Sequence, residues 1–280
     1  MQSFIKIFSE TRFLKIQSKR FKQLLYLYLI FRALFWMHQY DLLFGEHHLV
    51  YSKYLDLGNF KDVAFILLNS HSTALSLFFL IGLFLLSSFN LFFEKYRFLP
   101  DVLICLIVLN LHYKIYSSLT GGDFLINQLL FFNIFLSLQI NSSSNKWKQF
   151  LLLLHNGAVL SIIIQICIVY FLAGLAKLID VDWQKGMALI YISDVEQFKL
   201  IPTPNSNYLS KAILIFLNYL ILLYQILFAV LVFIKRIKKP VLVFGIAMHA
   251  YIILFMGLFW FGLIMMICYI FFWPIEESKE

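Results

Sequence analysis

The stretch LSIIIQICIVYFLAGLAKLIDVDWQKGMAL, residues 160–189, decides how this chain folds. Residues 160–176 are apolar enough to cross a bilayer, which takes about 20 residues, so Lys177 lies near the last turns of a predicted transmembrane helix. An ionisable group at that depth is costly and therefore marks a candidate site. The alternative is an interfacial lysine whose stem stays in the apolar layer while its ammonium reaches water.

Three residues of this stretch share one face of the predicted helix. Tyr170, Gly174 and Lys177 follow one another at i, i+4 and i+7, the spacing of side chains on a single face. A glycine there allows another helix or a flat ligand to come close to the amine. The sequence alone does not decide whether a helix or a flat ligand contacts Gly174, nor whether Lys177 belongs to a site or to the interface.

The composition indicates a membrane protein. Of 280 residues, 61% are hydrophobic and 14% charged, whereas soluble domains are about half apolar and about a quarter charged. We therefore predict an all-α polytopic transmembrane helix bundle of about eight spans, within a range of six to eight. The net charge of +8 comes from basic residues beside the apolar runs, so the expected partner is membrane lipid and not nucleic acid.

The apolar runs give the order of the spans. Six runs each predict one helix, and the seventh is too long for one helix and predicts two, with a break near residues 257–260. Their bounds are 24–44, 72–93, 98–119, 124–140, 150–178, 208–234 and 241–273. Residues 1–23 form a basic amino-terminal segment, 24–273 the bundle and 274–280 a short tail. The basic turns all fall on one side of this arrangement, which predicts that both termini are cytoplasmic.

Four polar residues share one depth in the predicted bundle. His112 and Lys114 lie in the outer third of the third span, Asp123 begins the fourth, and Lys177 ends the fifth. A histidine, a carboxylate and a lysine in a partly apolar pocket suit general acid–base chemistry. The alternative is that Asp123 forms an ion pair with Lys177 or Lys114 that only locks helices together. Asp123 also closes a turn, TGGD, whose glycines predict a tight reversal and whose carboxylate predicts a helix cap.

Further polar residues lie in the first and seventh spans. Arg32, near the middle of the first, requires a carboxylate, backbone carbonyls or a lipid headgroup, and it shares its predicted depth with His249. His249 is either a ligand or an ordinary core histidine. The adjacent pair His47 and His48 is read as loop polarity, and no metal site is predicted.

Four blocks of the chain resemble the vitamin K-dependent gamma-carboxylase-like family, also described as the horizontally transferred transmembrane (HTTM) domain. FLAGLAKLIDVDWQKGMAL is similar to its most characteristic block, an aromatic residue, a small residue with glycine, a lysine and W-x-x-G. The other blocks are RALF from Arg32, SSLTGGDFLINQLLFF around Asp123 and MHAYIILFMGLFWFGLIMM around His249. They follow the family's order and cover most of the chain.

The resemblance implies that Lys177 is a base acting on a quinol cofactor. His112 and Asp123 are predicted as further catalytic residues because they share the depth of Lys177. The predicted substrate-binding residues are Tyr170, Gly174, Trp183, Arg32 and His249. The GGD block is similar to the short bacterial branch, which implies a bacterial inner membrane protein with a quinone or peptide substrate, since one such group matures a toxin peptide.

Two features depart from the carboxylases: we expect no large lumenal domain in this chain, and Gln225 stands where a glutamate is common. Glutamyl carboxylation of a protein is therefore not expected. The alternative function is a non-catalytic membrane scaffold, or a partner in export or maturation.

Overall fold

The computed structural model describes residues 13–45, 73–140, 144–195 and 211–274. Throughout these residues the fold is all-α, as the sequence predicts, and no strand occurs in them. The loop that contains His47 and His48 and the segment 196–210 lie outside the described residues. The long helices are α1 Lys15–His38, α2 Thr73–Phe92, α3 Phe98–Lys114, α4 Gly121–Leu136, α5 Asn145–Ile179, α6 Lys211–Leu231, α7 Lys238–Met256 and α8 Phe259–Cys268.

Four of these helices, α2, α5, α6 and α7, are long and apolar enough to cross a membrane, while α4 and Phe259–Phe271 are apolar but shorter. Large apolar side chains on the helices point outward; Phe78 and Phe216, for example, are 67% and 66% exposed. An outer surface of this kind suits lipid and not water. The chain is therefore an integral membrane protein, and its total of eight spans stays a prediction.

The fifth helix is longer than the sequence predicted. It starts at Asn145, so residues 145–149, which were predicted to be loop, form its first turns. Its 35 residues extend for about 52 Å, whereas the hydrocarbon core is about 30 Å thick. A straight helix of this length is therefore tilted or reaches beyond the membrane.

The chain divides into two compact units, Met1–Val159 and Leu160–Glu280. In the first unit, α1 and α2 run antiparallel. The Tyr40 hydroxyl, two residues beyond α1, donates to the Thr73 carbonyl at the start of α2, 2.5 Å away. At the opposite end, Lys19 pairs with Glu94 just after α2, at 3.0 Å. The helices α3 and α4 continue this up-and-down order, so each end of the unit collects residues from several helices.

In the second unit, the last apolar run forms two helices, which confirms the predicted break. The break falls at Gly257, whose φ of 64° is the left-handed conformation that glycine adopts without strain. Beyond it, Gly262 of α8 packs closely against the His249 carbonyl and Ile253 of α7. Ten helical residues and the three of the 3-10 turn Tyr269–Phe271 cover about 21 Å, which is less than the hydrocarbon thickness.

Candidate functional site

The loop that follows α5 is built from local hydrogen bonds. The Asp180 carboxylate accepts from the backbone amides of Asp182 and Trp183, at 3.0 and 3.1 Å, and so caps the one-turn helix Val181–Gln184. That turn ends at Gly186, whose φ is 72°. Only glycine enters this left-handed conformation freely, which explains the glycine of the W-x-x-G block.

Helix α6 fixes the position of this loop. Asn218, which is fully buried, donates its side-chain amide to the Trp183 carbonyl at 2.9 Å. The Tyr219 hydroxyl donates to the Gln184 carbonyl at 2.8 Å. Two adjacent carbonyls of the loop are therefore bound to α6, which anchors the backbone that carries Trp183.

The Lys177 amine lies against the indole of Trp183. Its Nζ is 4.9 Å from the ring centroid, a cation–π distance, and both side chains are half-buried. Asp180 also interacts electrostatically with the amine. Lys177 is thus positioned by an aromatic face and a nearby carboxylate, and two residues that the sequence assigned to one site, Lys177 and Trp183, are in contact.

Gly174 lies one turn before Lys177 and packs against another helix. A Cβ at this position would lie 2.8 Å from the Ile226 Cγ1 and 3.0 Å from the Ile226 amide nitrogen of α6. Of the two neighbours that the sequence allowed next to Gly174, the structure shows the helix; the role of Gly174 in substrate binding stays a prediction. The glycine brings α5 and α6 together, which places the loop-binding residues of α6 near Lys177.

One turn further back, Tyr170 and His249 meet in a buried cluster. The Tyr170 hydroxyl lies 2.6 Å from His249 Nε2 and also hydrogen-bonds the Tyr269 hydroxyl. Tyr269 in turn lies 3.2 Å from the Tyr224 hydroxyl, which donates to the Val241 carbonyl at 3.2 Å. We call Tyr170, Tyr224, His249 and Tyr269 the tyrosine–histidine cluster.

The cluster joins groups that both donate and accept protons. Hydroxyl and imidazole exchange these roles by rotation or by a change of tautomer. His249 is 1% exposed, and its Nδ1 has no hydrogen-bond partner among the described residues. A buried polar atom without a partner is costly, so this nitrogen is a place where a ligand hydroxyl or carbonyl would be stabilised.

In the first unit, Arg32 and Asp123 form a buried ion pair. Arg32 Nη2 lies 2.7 Å from Asp123 Oδ1, and the side chains are 8% and 1% exposed. The sequence predicted that Arg32 needs a carboxylate or another acceptor, and the carboxylate is Asp123. The arginine also lies over the Trp36 ring, 4.6 Å from its centroid, which adds a cation–π contact.

Asp123 also completes a capping box with Thr120. Its Oδ2 accepts from the Thr120 amide and hydroxyl, both at 2.8 Å, so the predicted capping role holds with Thr120 as the N-cap residue. The prediction that the glycines form the reversal is wrong: the chain turns before them, and Gly121 and Gly122 are the first helical residues of α4, without a positive φ. The helix begins earlier because the capping box satisfies its first amides.

His112 lies beside this ion pair, as the sequence predicted. Its Nδ1 is 2.7 Å from the Asn127 side-chain oxygen, and its Nε2 is 3.7 Å from Asp123 Oδ1. Lys114 bonds the Ser76 hydroxyl at 2.7 Å instead. Within the first unit, the salt-bridge partner of Asp123 is therefore Arg32, and the predicted alternative of a pair with Lys114 is wrong.

A second buried network in the first unit was not predicted. The Asp101 carboxylate accepts from the Tyr26 hydroxyl, at 2.9 and 3.0 Å, and from the Asn90 side-chain amide at 2.7 Å. Asn133 donates to the same tyrosine at 3.4 Å. An aspartate inside the apolar run FLPDVLIC was the available signal, since ionisable residues within spans are rarely accidental.

The eight predicted site residues thus form two groups. Lys177, Trp183, Gly174, Tyr170 and His249 belong to the second unit, and Arg32, His112 and Asp123 to the first. The predicted proximity of Lys177 to Asp123 involves both units and stays a prediction. In the part of the chain that the structure describes, no group of three His, Cys, Asp or Glu residues is arranged to hold a metal ion.

Comparison of the chain with protein-family models, with curated proteins and with solved structures finds no match in any of the three. The resemblance to the HTTM domain rests on the four sequence blocks alone, and function has to be argued from the geometry of the second unit.

Proposed function

We propose that this integral membrane protein is a short bacterial relative of the HTTM domain and that Lys177 acts as a base on a quinol. The observation that carries the proposal is the contact between the Lys177 amine and Trp183, whose loop is bound to α6 through two carbonyls. A lysine that only reaches the interface needs no such loop, whereas a catalytic base needs a fixed position.

The residues of the second unit fit a flat apolar ligand that carries hydroxyl groups. The half-buried indole of Trp183 offers an aromatic face beside the amine. The tyrosine–histidine cluster, which contacts α5 through Tyr170, offers the buried Nδ1 of His249 on α7, which has no hydrogen-bond partner among the described residues. An apolar site with a few fixed polar groups is the usual character of a small-molecule site.

The residues around Lys177 favour the protonated product of a base. A bound quinol would supply a weakly acidic hydroxyl proton to the neutral amine. The O–H bond would break and leave its electron pair and a negative charge on the quinol oxygen, while the new N–H bond would convert the amine into an ammonium. The Trp183 ring and the Asp180 carboxylate both interact more favourably with the ammonium. They therefore stabilise the state that proton transfer creates, which is what catalysis requires.

The proposal includes the orientation of the chain in the membrane, which the basic turns indicate. The turn that contains Lys95 and Arg97 and the segment 235–239 are basic, and the resemblance points to a bacterial plasma membrane. With these turns in the cytoplasm, the amino terminus is cytoplasmic and Lys177 lies toward the outer face.

Two substitutions of Lys177 test the proposal. Lys177→Met removes the amine and keeps an apolar stem of similar length, while Lys177→Arg keeps a charge that does not deprotonate at physiological pH. The purified protein in nanodiscs is mixed without oxygen with a short-chain naphthoquinol, and the loss of the hydroxyl proton is followed by absorbance. We expect a signal that rises with pH in the wild type and is lost in both variants.

Lys185→Met is the matched control, because Lys185 lies in the same loop but is exposed. It should keep the wild-type signal. Thermal unfolding of all three variants shows whether they are folded. A wild-type signal in Lys177→Arg would refute the role of Lys177 as a base, since a guanidinium holds a helix in place but does not accept the proton.

A second function, a non-catalytic partner in the maturation or export of a peptide, is favoured by the buried Arg32–Asp123 pair. This pair and the capping box account for Asp123 without any chemistry. A scaffold needs the fold but not the amine of Lys177. In that case Lys177→Arg keeps full function in the host, while Asp123→Asn lowers the amount of protein in the membrane.

A further inference from the structure

The tyrosine–histidine cluster of the second unit is a chain of hydrogen bonds that ends at a backbone carbonyl. From the Val241 carbonyl the chain runs to Tyr224 at 3.2 Å, to Tyr269 at 3.2 Å, then to Tyr170 and finally to His249 Nε2 at 2.6 Å. It therefore has four polar contacts, and each of them needs one proton. The positions of these protons decide what the opposite end of the chain, His249 Nδ1, is able to bind.

A single arrangement of the protons fills all four contacts. A carbonyl has no proton and each tyrosine hydroxyl has one, so the three hydroxyls fill only three contacts. The fourth proton has to come from His249 and has to lie on Nε2, the nitrogen next to Tyr170. Every hydroxyl of the chain then donates toward Val241. With the histidine proton on Nδ1 instead, one contact has no proton and two lone pairs face each other, which is unfavourable in a buried place.

Nδ1 of His249 is therefore a hydrogen-bond acceptor. A second proton there would make a buried cation, which is costly without an opposite charge, and His249 forms no ion pair in the part of the chain that the structure describes. The histidine is 1% exposed, and Nδ1 has no hydrogen-bond partner among the described residues. A group that donates, such as a hydroxyl, stabilises an acceptor of this kind, whereas a carbonyl oxygen offers only lone pairs and repels it.

Helix α7 leaves room for the hydroxyls of the chain. Gly245 lies one turn before His249, and a Cβ on this residue would collide with the hydroxyls of Tyr269 and Tyr224. A glycine inside a helix lowers stability relative to alanine, so the space that it provides for the two hydroxyls accounts for it here. The His249 ring also packs against the Phe261 ring, with 5.8 Å between their centroids. The imidazole therefore has polar contacts along the chain and aromatic neighbours beside it.

We propose that His249 Nδ1 accepts a hydrogen bond from the hydroxyl of an aromatic ligand, so that the protein binds the hydroxyl form of such a ring more tightly than its carbonyl form. The rings of Tyr170, Tyr269 and Phe261 lie within 6.1 Å of the imidazole, centroid to centroid, and aromatic rings pack well against one another. The identity of the ligand as a quinol rests on the proposed function, whereas the preference for a hydroxyl rests on His249. For a quinol and its quinone, the preferred form is the reduced one.

The position of the histidine proton is measured by ¹⁵N NMR of the full chain in nanodiscs, with labelled histidine and with His249→Gln to identify the signals. We expect a proton on Nε2 and none on Nδ1. In Tyr224→Phe the two contacts that remain can be filled from either direction, so the tautomer with a proton on Nδ1 should appear as well. Tyr251→Phe makes the same change on α7 outside the cluster and should leave the signals unchanged. A wild type with the proton on Nδ1, or equal spectra of the two variants, would overturn the proposal.

The preference is measured with two probes that share one ring system, naphthol, which donates a hydrogen bond, and its methyl ether, which does not. Their affinities for the protein in nanodiscs are determined by calorimetry, with empty nanodiscs as the blank. We expect naphthol to bind about tenfold more tightly or better and to shift the His249 Nδ1 signal.

The variants separate this preference from the role of Lys177. Lys177→Met removes the other group that binds a hydroxyl, and the preference should remain. It should be lost in His249→Phe and reduced in Tyr224→Phe, which keeps the histidine; thermal unfolding identifies a variant that does not fold. Equal affinities of the two probes for the wild type would overturn the proposal and would leave proton transfer to Lys177 to its own test. A preference that Lys177→Met abolishes would also overturn it, because the hydroxyl would then bind the amine.

Discussion

Replacing Asp123 by Asn removes the negative charge from the buried pair with Arg32 while keeping a side-chain oxygen that can accept from Thr120. The two groups lie 2.7 Å apart and are almost fully buried. With charge centres about 4 Å apart and an effective dielectric constant near 20, their attraction is about 4 kcal/mol. Breaking a buried pair by removing one partner typically costs about 3–5 kcal/mol, because the other charge stays in the interior. We expect Asp123→Asn to lower the free energy of unfolding by this amount.

The measurement is unfolding by denaturant in mixed micelles, followed by tryptophan fluorescence. Asp41→Asn is the control: it makes the same chemical change at an exposed position of the first unit and should shift the free energy of unfolding by less than about 0.5 kcal/mol. The double variant Arg32→Met with Asp123→Asn should be more stable than Asp123→Asn alone, because it also removes the buried cation. Arg32→Met is also measured alone. If Asp123→Asn shifted the free energy of unfolding as little as the control, or if the shifts of Arg32→Met and Asp123→Asn added up to that of the double variant, the ion pair would not stabilise the fold as its geometry indicates.

Three further predictions concern backbone packing and topology. Gly174→Ala should lower the free energy of unfolding by about 1–3 kcal/mol, because its Cβ would meet α6. Gly157→Ala is the control: no atom lies within 4 Å of the new Cβ, so this change should raise the free energy of unfolding by up to about 1 kcal/mol. Equal shifts of the two variants would contradict the close contact at Gly174. Gly257→Ala should lower the free energy of unfolding by about 1–2 kcal/mol in the same assay, since the φ of Gly257 is 64°. No change in the free energy of unfolding would mean that the break between α7 and α8 does not require this conformation. Reporter fusions after Lys239 and after Glu280 should both report the cytoplasm, and an outer signal at Glu280 would mean that the short α8 does not complete a crossing.

The sequence predicted the fold class because hydrophobic length is a local property. Runs of about twenty apolar residues and the glycine in the last run placed α2, α6 and the break at Gly257 within a few residues. Helix ends were less predictable, since caps decide them. Thr120 and Asp123 moved the start of α4 back to Gly121, and the start of α5 at Asn145 was missed because its first turn is polar.

The candidate site was predictable in part, because the depth of a residue can be counted along a helix but its neighbours cannot. Depth brought His112 and Asp123 together correctly, and face counting placed Tyr170, Gly174 and Lys177 on one helix. The partner of Asp123 was missed, because the choice between Arg32 and a lysine depends on how α1 packs. The bond between Tyr170 and His249 joins residues 79 positions apart, and no local pattern encodes such a contact.

The quinone content of the purified protein tests the proposed function most directly. The wild type and Lys177→Met are extracted with organic solvent from identical preparations and compared by mass spectrometry with an unrelated membrane protein of the same host. We predict a stoichiometric amount of a quinone in the wild type, since the Trp183 face and the buried His249 nitrogen favour a flat ligand. A quinone content no higher than that of the unrelated protein would contradict the proposal that the second unit is a quinol site.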